Sequence, residues 1–143
     1  MNLQEQVSRI KSMMGLVIES DDFDYIVPNF DMEWEEAERY IDHPNPDKII
    51  GWTKEEWLEK VKNGKVMNFS EIPDLENITD PSEFEELLPE KIQRFMDALS
   101  KKIIELPIAV KLPNGVYDLI AGNTRVTGLR NKGYDPKIWV FEL

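Results

Sequence analysis

The stretch Tyr117 to Gly133 reads YDLIAGNTRVTGLRNKG. An alternating apolar run enters Gly122. Asn123, Thr124 and Arg125 follow, opening a segment with apolar residues at helical spacing. A strand that delivers the chain to a glycine and then directly to a helix aims the helix's first N–H groups past the sheet edge. Glycine lets a ligand approach the backbone closely. Arg125 adds a planar fork suited to phosphate or carboxylate, and Thr124 adds a hydroxyl. The chemistry this set could perform is anion binding. A plainer origin gives the same letters: Asn123 caps a helix and Arg125 sits on its surface. Composition and spacing leave both open.

Other reactive side chains are few. Cysteine is absent, which removes thiolate ligands, cysteine nucleophiles and disulfides together and fits a reducing compartment. His43 is the single histidine, in the turn-like HPNPD. Glu33, Glu35, Glu36 and Glu38 are closely spaced. On one helix the carboxylates at 35, 36 and 38 do not converge, and no Glu-x-x-His spacing accompanies them. A solvated acidic face is therefore expected, and no metal site.

The elements that position these residues follow from pattern. Leu106 to Leu112 and Val116 to Ala121 alternate around Pro113-Asn114-Gly115, which predicts a hairpin. Asn123 to Lys132 reads as a helix stopped by Gly133, and Pro136 to Leu143 as a closing strand. Upstream, Thr53 and Glu56 form a capping box on a helix that buries Trp57, Leu58 and Val61. Val66 to Phe69 is a predicted strand. Residues 82–102 form a helical stretch interrupted or restarted at Pro89, and Asp31 is the expected cap of a helix carrying Trp34, Ala37 and Ile41. Leu16 to Glu19 could be a short strand. Irregular alternation of strands and helices indicates an α+β or mixed α/β class, a small mixed sheet with packed helices.

At 143 residues the chain is one domain with room for an appendage. Its charge is uneven. Residues 1–102 carry 12 Lys/Arg against 24 Asp/Glu, whereas residues 103–143 carry 5 against 4. Neutralising several phosphates of a duplex needs a basic face, so free capture of nucleic acid is disfavoured while one small anion is not. No long apolar run suggests a signal peptide or membrane span, and a cytoplasmic protein is expected. Leu3, Val7, Ile10 and Met14 make one stripe over residues 2–14, which packs on its own domain or docks on a protein partner. The opening MNLQEQVSRIKSMMG resembles leaders of tailed-phage proteins, which points to an infected bacterial host.

The run PIAV…YDLIAGNTRVTGLRNKG…PKIWV, with the preceding EKIQRFMDALSKKIIEL, is similar to the ParB/sulfiredoxin superfamily over residues 66–143. There a P-I-x-V strand and a strand ending in L-I-x-G lead into G-x-x-R, a helix and a closing strand. The resemblance implies a ParB/sulfiredoxin-like domain at 66–143 behind an acidic, mostly helical extension at 1–65. It also implies phosphate binding by the turn Gly122, Asn123, Thr124 and Arg125, with a nucleoside triphosphate or diphosphate and Mg²⁺ as cofactors. The small-molecule partner is then a nucleotide, and the activity that of a phosphotransferase or NTPase. Alternatives are a ParB-like nuclease and a non-catalytic phage accessory protein. Asn123, Thr124 and Thr127 stand where ParB proteins have Glu, Arg and Arg, so CTP switching is not implied. Asn123 also stands where sulfiredoxins have their cysteine, so sulfinic acid reduction is not implied either. The turn holds no general base at neutral pH. Glu71 and Asp74, in the loop after the first matched strand, are the expected catalytic carboxylates.

Overall fold

A computed structural model describes residues 17–19, 22–41, 53–75 and 80–142. In chain order the elements are β1 (Val17–Glu19), β2 (Asp24–Ile26), α1 (Trp34–Ile41), α2 (Lys54–Val61), β3 (Lys65–Asn68), α3 (Pro89–Ser100), β4 (Ile103–Glu105), β5 (Ile108–Lys111), β6 (Tyr117–Ala121), α4 (Asn123–Asn131) and β7 (Lys137–Glu142). Short 3₁₀ turns at Phe69–Glu71 and Pro81–Glu86 complete them. The chain is a small α+β domain with a mixed sheet and packed helices. The amphipathic stripe predicted at residues 2–14 and the turn around His43 lie outside the described residues.

Alternation in β5 and β6 makes the central hairpin. Val110 faces Asp118 across it, and the register shifts between Ile108 and Ala109. β7 then returns beside β5 in parallel and takes β3 antiparallel on its other edge, giving the order β3-β7-β5-β6. Side chains of successive strand residues point to opposite faces. Ala109, Leu119, Ile138 and Val140 accordingly meet Val126 of α4 on one side. Ile108, Val110, Ile120 and Phe141 meet Trp57, Phe95 and Leu129 on the other. Both faces are thus covered.

The helical stretch expected over residues 82–102 restarts at Pro89, as its sequence suggests. Pro89 lacks an N–H and drives Leu88 out of the helical region, so Pro81–Glu86 winds as 3₁₀ and α3 begins afresh with Pro89 in its first position. The helix expected from Asp31 starts three residues later, at Trp34. The carboxamide of Asn29 takes the N–H groups of Asp31 and Met32 at 3.0 and 3.3 Å, while the Asp31 side chain pairs with Lys54. α2 has the expected box: the Glu56 N–H donates to Thr53 Oγ1 at 3.2 Å, and the Thr53 N–H to Glu56 Oε1 at 3.3 Å.

The division expected between residues 65 and 66 runs through a shared core. β2 pairs in parallel with β4 in a second sheet of order β1-β2-β4, so the described part of the extension contributes strands as well as helices. The Asp24 N–H donates to Lys102 O, and the Leu106 N–H to Ile26 O, both at 2.9 Å. Trp57 of α2 is fully buried, edge-on to Phe141 of β7 at 5.6 Å, and its ring N–H donates to Phe30 O at 2.9 Å. Among the described residues, the regions before and after residue 65 form one packed unit.

Candidate functional site

β6 ends at Ala121 and α4 starts two residues on, so Gly122 must turn the chain between them. It does so with φ +95°, in the left-handed region open to glycine. A Cβ there would stand 2.8 and 2.9 Å from Cβ and Cα of Pro107. Packing and conformation both demand glycine at this position. Gly122 also brings no side-chain acceptor to the first-turn N–H groups of α4. The plainer expectation had Asn123 as the cap. Instead it lies within the first turn, where its side-chain oxygen accepts the Thr127 hydroxyl at 3.5 Å.

Arg125 reaches back from α4 to β4. Its Nη1 donates to the Glu105 carbonyl at 3.0 Å and stands 3.8 Å from the Glu105 carboxylate, leaving the side chain 22% exposed. Arg125 is therefore neither a surface arginine nor closed into a bidentate internal pair. Nη2 and Nε make no hydrogen bond among the described residues.

A half-open cleft of about 840 Å³ lies beside this turn. Its floor is apolar, with Ile26, Ile104, Ile120 and Phe95. Gly122, Asn123, Thr124 and Arg125 form one end. α3 supplies a basic wall of Lys91, Arg94 and the capping Lys101, and α1 with its preceding turn supplies an acidic wall of Glu33, Glu35 and Glu36, joined by Glu105 of β4. The rim carries Met32 and Leu88, which are 77% and 54% exposed.

The acidic wall is not uniform. Glu35 and Glu36 turn back to Arg39 at 3.2 and 3.0 Å, as a solvated face would. Glu33 is half-buried, and its side chain makes no hydrogen bond or ion pair with a described residue. Burial pushes its carboxyl above the usual carboxylate range. Arg125 opposes that shift, and Glu105 and Glu36 add to it. Burial likewise pulls the Arg125 guanidinium down, against the field of Glu33, Glu105 and Glu36. The two groups perturb one another across the cleft.

Glu71 and Asp74 are not brought to this place. Both lie at the end of the sheet where β6 also ends, but β7 and β5 stand between β3 and β6, a separation of about 14 Å at ordinary strand spacing. Glu71 accepts the Asn68 N–H at 3.0 Å as part of a tight turn, and Asp74 holds a positive φ of 44°. Neither lines the cleft. The carboxylates that do are Glu33, Glu35, Glu36 and Glu105; sequence reasoning put the first three on a solvated face and did not single out Glu105. The one available signal was a stripe at 91, 94, 98 and 101 that puts three basic residues on one face of a helix in an acidic chain.

Among the described residues no three Asp, Glu or His side chains are placed to hold a metal ion. None of the described helices is long and apolar enough to cross a membrane. Comparison with protein-family models, curated proteins and solved structures gave no match to this chain.

Proposed function

We propose that this chain binds a phosphate-bearing small molecule, a nucleotide, in the cleft beside Gly122. One observation carries the reading: the start of α4, where Gly122 offers no capping side chain, and the basic residues of α3 border the same cavity, whose volume of about 840 Å³ lies within the range typical of small-molecule sites. First-turn N–H groups and the helix dipole favour an anion there. The two Arg125 nitrogens that make no hydrogen bond among the described residues can meet phosphate oxygens, and Lys91, Arg94 and Lys101, which line the same cleft, add positive field.

The resemblance to ParB and sulfiredoxin proteins supports the same reading, because it assigns phosphates to Gly122, Asn123, Thr124 and Arg125. A nucleotide-dependent phosphotransferase or NTPase at this cleft would act by holding phosphates in line and neutralising their charge. Mg²⁺ would take its ligands from phosphates and water and would supply further neutralisation. Glu33, rather than Glu71 or Asp74, is the carboxylate positioned to exchange a proton there. Nuclease activity ranks lower, since the acidic wall repels a polynucleotide.

The exposed Met32 and Leu88 on the rim favour one second reading, a non-catalytic accessory protein that grips a protein partner through an apolar lip and binds no nucleotide. A thermal-shift panel of ATP, ADP, CTP, GTP and UTP, with and without Mg²⁺, separates the two. A rise that Mg²⁺ enhances and Arg125→Ala removes is expected. A flat panel refutes the nucleotide reading and leaves the accessory one.

A further inference from the structure

Glu33 is an anomaly in a phosphate site: a half-buried carboxylate beside the arginine that an anion would approach. Its neighbours define its role. Arg125 of α4 faces it with positive charge, Glu105 of β4 and Glu36 of α1 with negative charge. Lys91 and Arg94 of α3 and its capping Lys101 also line the cleft. Its oxygens make no hydrogen bond with a described residue, so a ligand entering the cleft meets them directly.

An ionised carboxylate only accepts hydrogen bonds. Sulfate at neutral pH likewise only accepts, so the two repel at contact. Phosphate differs, because a monoester loses its second proton near pH 6 and inorganic phosphate keeps at least one proton throughout the neutral range. Resting on the phosphate reading of this cleft, we infer that Glu33 selects the anion: it shares the proton of a protonated phosphate oxygen in an O–H···O bond and excludes tetrahedral anions that bring no proton. Burial raises the proton affinity of Glu33 above that of an ordinary carboxylate, which strengthens its acceptance of that proton.

The test follows backbone amide shifts of Gly122, Asn123 and Thr124 in the full chain during titration with inorganic phosphate, sulfate and AMP. Wild type binds phosphate at least about tenfold more tightly than sulfate at neutral pH. Its affinity for AMP falls about tenfold between about pH 5.5 and about pH 7.5, as the shared proton is lost. Glu33→Gln, which can donate as well as accept, brings phosphate and sulfate within about threefold of each other, chiefly by gaining sulfate. An unchanged phosphate-to-sulfate ratio in Glu33→Gln overturns the inference while anion binding stands. So does a flat pH profile for AMP in the unaltered chain, which needs no variant to fold. If the three amides respond to none of the ligands, the phosphate reading itself falls, and the inference with it.

Discussion

Replacing Gly122 with alanine tests how the site is built. The backbone there has φ +95°, and an added Cβ would stand 2.8 Å from Pro107 Cβ, 2.9 Å from Pro107 Cα and 3.1 Å from Arg125 Nε. Pro107 has little room to retreat, because its carbonyl accepts the Trp139 N–H of β7 at 2.8 Å. Left-handed backbone costs a non-glycine residue about 1–2 kcal/mol, and overpacking adds about 1–3 kcal/mol. A central figure is about 3 kcal/mol, equivalent to a fall of about 6–12 °C in Tm for a chain of this length. Urea unfolding followed by tryptophan fluorescence measures it. Gly115→Ala is the matched control, with φ +86° but open space around the new Cβ, and should lose only the conformational part, about 1–2 kcal/mol. Equal losses in the two variants would refute the steric argument. The loss at Gly122 requires no ligand, so this variant is a poor probe of binding and Arg125 the better one.

Arg125→Lys keeps a charge but not the fork, and anion affinity measured by titration should fall by about 1–3 kcal/mol. Gly128→Ala should destabilise despite better helix propensity, worth about 1 kcal/mol. The new Cβ would lie 2.6–2.9 Å from the buried ring of Phe95. A more stable variant in denaturant melts would show that the α3–α4 contact relaxes easily. Trp57→Ala should cost about 3–5 kcal/mol, and a fragment of residues 66–143 should show no cooperative melt, because α2 completes the core. Glu33 has a folded-state pKa raised by burial, so its ionisation opposes folding as pH rises from the ordinary carboxylate range through the raised value. Glu33→Gln should therefore match wild type near about pH 4 and exceed its Tm near about pH 7. Glu35→Gln, at a side chain 78% exposed, should change neither.

What the sequence carried is local, and what it withheld is not. The hairpin, the Thr53–Glu56 box and the helix after Gly122 each depend on residues within a few positions of one another, so alternation and capping chemistry suffice to find them. The parallel pairing of β2 with β4 joins segments far apart in the chain, with no turn to announce it. That pairing draws the turn before α1 and β4 into the neighbourhood of α4, and so sets Glu33 and Glu105 beside Arg125. A base was therefore sought in the nearest polar loop, at Glu71 and Asp74, when the carboxylates of the cleft come from elements whose placement only the tertiary fold decides.

The motif at the centre of the site has the same ambiguity. Glycine at 122 is demanded by its φ and by Pro107, and Arg125 ties α4 to the Glu105 carbonyl. A packing requirement alone can thus write the letters G-x-x-R at a strand-to-helix turn. The features that packing does not require carry more weight: two guanidinium nitrogens without a described partner, a half-buried Glu33 carboxylate likewise without one, and three basic side chains of α3 and its cap that line the cleft. A turn built only for stability has no use for charged groups of both signs facing one cavity, since exposed charges contribute little to stability and half-buried unpaired ones oppose it. Arg125 is where the two accounts separate. If it only anchors α4, lysine in its place should lower Tm and leave every anion titration flat. If it also binds, the same change should weaken phosphate more than it weakens the fold.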